Sequence, residues 1–525
     1  ATHKPPMKSF NIAGTCRRDE HYMVDITERL EIIGRMVANG DYFCINRGRQ
    51  YGKTTTLEAV SACLAEDYSV FSLSFEGVSP DSFGSLQSVY SFFLQSLLFN
   101  AKVGLASLSA SAMKALEEYG GNDVRISDMD FAYAMLRLCK ENDKPIVLLI
   151  DEVDQASDYE SFLLFLGVLR KMFLNRKAVP TFQSVILAGV YDVKNLKLRM
   201  RTEEQHQYNS PWNIAVAFDY DMSLSADGIA GMLAEYRADH SLDFDEKAVA
   251  LLIRDYTGGY PFLVSRLCMI IDAEHYTWDK EGVLKAVNAI LMERNTLFDN
   301  MIKKLDEYPE LEATLKRILF GGTRETYNPD EKYLQIAAMF NYISTQDGLV
   351  SIACRIMETR LYNYFLAKNK ASTMSRHGQA DKSRFIIDGY INMPHLLERF
   401  VVHMNQTYDM DKEHKFLEEN GREIFLTYLR PIINGVGNYY IEPQTRDHER
   451  MDIVVDYLGT QYVIELKIWR GNAYNQRGEE QLKGYLERFD LQTGYLVSFC
   501  FNKNKRPGLL VPVEIDGRKL VEAVV

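Results

Sequence analysis

Apolar side chains at Ile26, Leu30, Ile33 and Val37 recur at helical spacing, after a polar arm that contains Arg17, Arg18, His21, Tyr22 and Met23. The run Tyr42-Phe43-Cys44-Ile45 reads as a strand and Leu57-Glu58-Ala59-Val60 as part of a helix reaching about Glu66, which leaves a tight loop between them. Ser69 to Phe75 predicts a buried parallel strand, and amphipathic helices fill roughly 81–101, 105–119 and 126–142. The apolar run Ile146-Val147-Leu148-Leu149-Ile150 ends in Asp151 and Glu152, and further strands are predicted at 184–190 and 213–218, with a turn at Ser210-Pro211. Strands alternating with helices in this way predict an α/β unit with a parallel sheet.

From Ser223 to Met292 the pattern is helical, broken by Tyr256-Thr257-Gly258-Gly259-Tyr260-Pro261-Phe262, where glycines before a proline mark a tight turn and a new helix start. Residues 305–367 hold helices and then a helix–turn–strand pattern from Phe340 to Ile352. Residues 368–384 are polar and basic and read as an exposed loop or linker. After a helical stretch from Pro394 to about Tyr428 the period changes to two. Strands are predicted at 451–457 and 461–469, joined by the short turn Leu458-Gly459-Thr460.

Length and composition narrow the class. A chain of 525 residues suggests three or four domains, at roughly 150 residues each. With 46% apolar and 25% charged residues it has the balance of a soluble globular protein. No apolar run is long enough to cross a bilayer, and the polar start is not a secretory signal, so no membrane partner is expected. Seven scattered cysteines show no paired metal spacing and no closed disulfide framework, which points to a reducing cytoplasm. A net charge of −12 offers no global attraction to nucleic acid. Basic and acidic residues nearly balance after residue 411, so the acidity lies mostly upstream and nucleic acid must be met by local patches.

The loop Ile45-Asn46-Arg47-Gly48-Arg49-Gln50-Tyr51-Gly52-Lys53-Thr54-Thr55 sits between strand and helix, the setting of a phosphate-binding loop. Glycine admits the backbone close to a phosphate, and the helix N-terminus offers unpaired N–H groups and a positive dipole end. Lys53 can reach the β/γ-phosphates and the Thr54 hydroxyl can ligate Mg²⁺, so Gly48, Arg49, Gln50, Gly52, Lys53, Thr54 and Thr55 are the expected ATP-binding residues. The usual pattern has glycine where Arg47 stands, one place before Gly48. Asp151 is expected to hold Mg²⁺ and Glu152 to polarise the water that attacks the γ-phosphate. A solvated strand end would look much the same taken singly, but its order after Gly52-Lys53-Thr54 favours nucleotide binding.

Arg-Gln-x-Gly-Lys-Thr, Asp-Glu-x-Asp and then Gly-Gly-x-Pro in a helical lid resemble the AAA-like ATPases related to the archaeal ATPase and STAND groups, over roughly residues 8–300. The resemblance implies a polar sensor at the end of the fourth strand, which here ends Ala188-Gly189-Val190, so the sensor is missing or is supplied by Tyr191 or Asp192. It also implies an arginine near the γ-phosphate, for which Arg199 and Arg201 are candidates against a plain basic loop. The region after the lid resembles the winged helix that follows such ATPase lids, which either reads DNA or serves as an interdomain spacer, the spacer being the favoured reading.

Period-two alternation puts Glu465 and Lys467 on one face of the second C-terminal strand, and a neighbouring strand could bring Asp452 beside them. Asp452 and Glu465 are hard oxygen ligands suited to Mg²⁺, with Mn²⁺ as substitute. Lys467 would position or activate the attacking hydroxide, Glu423 would complete the metal shell, and Gln481 would hold Lys467 or a phosphate oxygen. A surface strand can carry alternating charges for solubility alone, but apolar flanks at Val463-Ile464 and Ile468-Trp469 argue against that here. This set resembles the PD-(D/E)xK nuclease superfamily over about residues 411–525, with Met451 in the place of its proline.

The expected fold class is therefore α/β: a P-loop NTPase parallel sheet with helical lid and winged-helix-like spacer, plus a C-terminal PD-(D/E)xK restriction-endonuclease-like domain. The expected boundaries are 1–222 for the arm and ATPase core, 223–300 for the lid, 301–410 for the spacer and 411–525 for the nuclease. The expected function is metal-dependent hydrolysis of nucleic acid, DNA first, gated by ATP, with a homo-oligomer as an open partner. The alternative is a nucleotide switch whose C-terminal domain binds nucleic acid without cutting.

Overall fold

The structure, a computed structural model, describes residues 8–120, 126–190, 212–320, 325–368, 385–407, 418–433, 437–443, 451–469, 482–484, 486–487, 490–501 and 506–525. The chain divides into two compact units, one comprising Ala1–Leu242 with Tyr260–Ser265 and the other Asp243–Gly259 with Arg266–Val525.

The first unit runs α1 (Thr27–Ala38), β1 (Phe43–Asn46), α2 (Lys53–Leu64), β2 (Ser69–Ser74), α3 (Leu86–Lys102), α4 (Ala110–Tyr119), α5 (Asp128–Glu141), β3 (Ile146–Asp151), α6 (Glu160–Leu174), β4 (Ser184–Gly189) and α7 (Ala226–His240). The four strands form a parallel sheet in the order β1-β4-β3-β2. Every residue of β3 and β4 is buried, as their unbroken apolar runs require, whereas the edge strand β2 exposes Ser72 and Ser74. Because the strands are parallel, the loops after β1 and β3 leave the same edge of the sheet, where ligands of such sheets bind. The helices are punctuated by side-chain caps: Ser85, Ser109, Ser127 with Asp130 in a capping box, and Ser225.

Two expectations need correction in this unit. The predicted strand 213–218 is only a single parallel bridge, Phe43↔Val216, on the free edge of β1. The buried stripe of α1 is Arg29, Ile33 and Val37, with Leu30 only half-buried, so a charged residue occupies the place assigned to an apolar one.

The second unit contains α8 (Glu246–Thr257), most of α9 (Pro261–Ala273), α10 (Lys280–Met292), α11 (Thr296–Glu307), α12 (Pro309–Phe320), α13 (Lys332–Met339), the ladder β5 (Ile343–Ser344) with β6 (Ser351–Ile352), and α14 (Arg355–Lys368). After the small hairpin β7 (Ile386–Ile387) and β8 (Tyr390–Ile391), the expected helical stretch holds α15 (Met393–Thr407) and α16 (Glu418–Ile433). Then come β9 (Gly437–Pro443), β10 (Met451–Tyr457), β11 (Thr460–Ile468), β12 (Thr493–Phe499), β13 (Gly508–Leu509), β14 (Val513–Ile515) and β15 (Arg518–Val524). They form a mixed sheet: β9, β10 and β11 are antiparallel neighbours, and β11, β12 and β15 run parallel. Leu458 and Gly459, at φ 48° and 84°, make the two-residue turn between β10 and β11, whose left-handed backbone matches the twist of a hairpin.

All seven cysteines are free thiols, and among the described residues no helix is long and apolar enough to cross a membrane.

Gly189, at the end of β4, has no room for a side chain. A Cβ there would lie 2.8 Å from Val153 Cγ2 and 2.9 Å from Asp154 Oδ1. Gly189→Ala is expected to lower stability by about 1–3 kcal/mol, read as a shift in the denaturation midpoint. An unchanged midpoint would mean that the β3 and β4 ends are not packed as described.

Candidate functional site

The phosphate loop links the end of β1 to the start of α2. Its left-handed positions are Gln50 at φ 56° and Gly52 at 79°, and residue 47 is not among them. The loop therefore has no conformational need for glycine at residue 47. Arg47 instead donates through Nη1 to the Asn46 carbonyl at 2.8 Å and through Nη2 to the Tyr220 carbonyl at 2.5 Å.

Lys53 is 5% exposed, and its ammonium donates to the carbonyls of Arg47 at 3.0 Å and Gly48 at 2.9 Å. Burial depresses its pKa, opposed by the charges of Glu152, Asp154 and Asp151. Carbonyls are weaker partners for an ammonium than phosphate oxygens, so an incoming polyphosphate can take over this lysine. Thr54 Oγ1 donates to Asp151 Oδ2 at 2.6 Å, and Asp151 Oδ1 accepts from the Glu152 N–H at 2.9 Å. Two oxygen donors this close suit a single hard cation such as Mg²⁺, whose other ligands are ordinarily phosphate oxygens and water.

Glu152 is held in the left-handed region at φ 54°, and burial raises its pKa, with Lys53 pulling it back down. Thr55 Oγ1 accepts from the Cys16 N–H at 3.2 Å, which ties the N-terminal arm to α2. The Arg49 carbonyl accepts from the Tyr260 hydroxyl. The structure thus gathers Gly48, Arg49, Gln50, Gly52, Lys53, Thr54, Thr55, Asp151 and Glu152 at one edge of the parallel sheet. Tyr191, Asp192, Arg199 and Arg201 lie outside the described residues.

Three supporting residues escaped the sequence reading. Asp154 Oδ2 accepts from the Val190 N–H at 2.6 Å and so pins the end of β4 to the turn after β3. Arg29 reaches from α1 to Thr56 Oγ1 and to the Met222 carbonyl, each at 3.0 Å, and Thr56 Oγ1 donates in turn to the Gly52 carbonyl at 2.8 Å. Tyr260 is the third. Asp154 was visible as the last acid of Asp-Glu-x-Asp, and Arg29 as a charge in register with Ile33 and Val37. Nothing local marks Tyr260.

In the second unit, Glu465 and Lys467 are both fully buried on β11. Register places Glu465 beside Leu496 and Lys467 beside Ser498 on β12, with Glu522 of β15 beside Leu496. Ser498 Oγ donates to Glu522 Oε1 at 2.6 Å, so Ser498 and Glu522 join this polar row, which the sequence reading missed. Asp452 lies on β10 one pair beyond Ile453↔Ile464, the position opposite Glu465, and its side chain is outside the described set. Glu423, on α16, forms an ion pair with Lys316 at 3.3 Å. Gln481 lies outside the described residues. Among the described residues no group of three or more His, Cys, Asp or Glu side chains is placed to hold a metal.

A family model described as "AAA-like domain" matches residues 18–367, well over half of the chain. The chain belongs to this AAA-like family. The match takes in the phosphate loop, the acidic end of β3 and the helices that follow, and it makes the protein an AAA-like P-loop ATPase, a class for which ATP and Mg²⁺ are typical. Among solved structures, the AAA-like ATPase is similar to a Walker-type ATPase of Pyrococcus abyssi, at 15% identity and a TM-score of 0.47, covering 67% of this chain and 99% of that one. It is also similar to the ORC2 protein of Aeropyrum pernix, at 14% identity and a TM-score of 0.36, covering 69% and 97%. The ORC1 protein of the same organism, solved in complex with DNA, matches at 15% identity and a TM-score of 0.28, covering 66% and 94%. No curated protein matches the chain.

Lys53→Ala is expected to abolish ATP turnover and weaken nucleotide affinity, since it removes the cation nearest the β/γ-phosphates. Glu152→Gln should bind ATP as the parent does and hydrolyse it on the order of 10²-fold more slowly. Steady-state phosphate release with parallel nucleotide titration checks both. Parent-like hydrolysis by both variants would remove the loop assignment.

Proposed function

We propose that this AAA-like ATPase carries a metal-dependent nuclease in its C-terminal sheet and that nucleotide state gates it. The observation that supports the reading is the complete burial of Glu465 and Lys467 on β11. Charged side chains kept in water for solubility stay exposed, Glu and Lys are almost never fully buried unless paired, and buried charges cluster at functional sites. The β10–β11 register, one pair past Ile453↔Ile464, sets Asp452 opposite Glu465, which is what two carboxylates sharing one cation require.

In this reading Asp452 and Glu465 hold Mg²⁺ or Mn²⁺ through carboxylate oxygens, a donor set that suits a hard cation. When bound, the metal would supply Lewis-acid stabilisation of charge on the scissile phosphate. Lys467 orients the attacking oxygen and offsets phosphate charge. Glu423, now paired with Lys316, is available to the site only if that half-buried ion pair opens. Gln481, outside the described residues, would hold Lys467 or a phosphate oxygen. In the first unit, Gly48, Arg49, Gln50, Gly52, Lys53, Thr54 and Thr55 cradle the triphosphate, Thr54 and Asp151 hold its Mg²⁺, and Glu152 orients the hydrolytic water. The nucleic acid is DNA in this reading, with cleavage tests on RNA as the control.

Asp452→Ala, Glu465→Ala and Lys467→Ala are each expected to reduce cleavage on the order of 10²-fold or more while ATP binding and the thermal midpoint of the first unit stay unchanged. The two carboxylate variants should lose Mn²⁺ binding at this site by calorimetry, whereas Lys467→Ala should retain it. A parent protein that binds no divalent metal here and cuts neither duplex DNA, single strands nor RNA, with or without ATP, would leave the non-cutting switch in its place.

A further inference from the structure

The chain passes from the second unit to the first between Gly259 and Tyr260, and a tyrosine stands at each end of the short segment that makes this passage. Tyr260 donates its hydroxyl to the Arg49 carbonyl in the phosphate loop, and its ring meets Tyr51 edge-on at 4.7 Å. Tyr256 donates its hydroxyl to Asp456 Oδ2 at 2.7 Å. Asp456 is buried on β10, the strand that also carries Asp452.

The residues between the two tyrosines are held in shape. Thr257 Oγ1 donates to the Ile253 carbonyl at 2.6 Å and accepts from the Gly259 N–H at 3.1 Å. Gly258 and Gly259 both lie in the left-handed region, at φ 60° and 72°. A Cβ on Gly258 would come within 2.6 Å of the Ala353 carbonyl oxygen, so the turn lies tight against its own unit. Arg355 braces the end of α8, with its guanidinium 5.6 Å from the Tyr256 ring centroid and 3.2 Å from Asp255.

We propose that Tyr260 is a positioning residue for the phosphate loop and that the segment Tyr256–Tyr260 couples the state of that loop to strand β10. The proposal rests on the nucleotide-gated reading above and gives the gating its residues. When phosphate oxygens engage the loop N–H groups, the loop peptides turn toward them. The Arg49 carbonyl moves with these peptides, and the Tyr260 hydroxyl follows it or lets go. A segment stiffened by its own hydrogen bonds passes that displacement to Tyr256 instead of absorbing it. At the far end the hydrogen bond matters because burial raises the Asp456 pKa and the Tyr256 hydroxyl is the largest influence holding it down. Losing that donor leaves a buried carboxylate less well satisfied, so β10 responds.

The test is hydrogen–deuterium exchange of the full chain, read on peptides covering β10 and β11, with and without a non-hydrolysable ATP analogue and Mg²⁺. In the parent, exchange in β10 changes when the analogue binds. In Tyr256→Phe the analogue binds and ATP turns over as in the parent, but the β10 response is lost. In Tyr260→Phe the response is also lost, and the KM for ATP rises about fivefold, the effect of one neutral hydrogen bond, with kcat within about twofold. Asp456→Asn keeps an acceptor oxygen for Tyr256 and should retain the response, whereas Asp456→Ala should not. A parent whose β10 ignores the analogue, or a Tyr256→Phe protein that responds as the parent does, overturns the proposal. No cleavage is read, so this result stands apart from whether the C-terminal sheet is a nuclease.

Discussion

The Lys53 ammonium, nearly closed off from water, sets the terms for the first unit. A cation withdrawn from solvent persists only if hydrogen bonds and opposite charges replace its hydration. The loop supplies the carbonyls of Arg47 and Gly48, and β3 with its following turn supplies Asp151, Glu152 and Asp154. These groups come from separate parts of the chain, so they meet only if β1 and β3 lie in one parallel sheet with their loops on the same edge. β4 lies between the two strands, and it fits because Gly189 presents no side chain to Val153 and Asp154. The same cluster that satisfies the ammonium also holds the Thr54 and Asp151 oxygens close enough to share a cation.

Much of this was legible along the chain. The unbroken apolar runs of β3 and β4 carry the signature of strands buried on both faces, and Gly52-Lys53-Thr54 before Asp151-Glu152 carries the nucleotide chemistry. The segment around Val216 makes a single bridge and not a strand, because an apolar segment does not reveal how many backbone pairs it will make. Arg29 was hidden by the choice of Leu30 one place along, since a helical stripe is wide enough to admit either. In the C-terminal sheet, period-two alternation placed Glu465 and Lys467 on one face, but not which strand would lie beside them. That β12 and β15 run parallel to β11, and bring Ser498 and Glu522 into the same row, is decided by long-range pairing. Tyr256 and Tyr260 look like ordinary core aromatics in sequence; their hydroxyls acquire meaning only through partners some 200 residues away.

The two units use burial of charge differently. In the first, Lys53 and the acids around it come from different strands and turns. In the second, Glu465 and Lys467 sit two residues apart on one strand, so their spacing is set by the pleat itself. A site built on a single strand is rigid, and its activity is more readily altered by shifting that strand or its neighbours than by rearranging the residues. Regulation acting on β10 would suit the proposed site, because the β10 register puts Asp452 opposite Glu465.

The central claim is that nucleotide state controls chemistry in the C-terminal sheet, and the direct measurement is cleavage by the unmodified 525-residue chain. Labelled duplex DNA, single-stranded DNA and RNA would be incubated with Mg²⁺ in four parallel conditions: no nucleotide, ADP, ATP and a non-hydrolysable ATP analogue. The account predicts cleavage of at least one substrate, with a rate that differs by an order of magnitude or more between nucleotide states. Equal rates in all four conditions would contradict the gating, and no cleavage in any of them would contradict the nuclease.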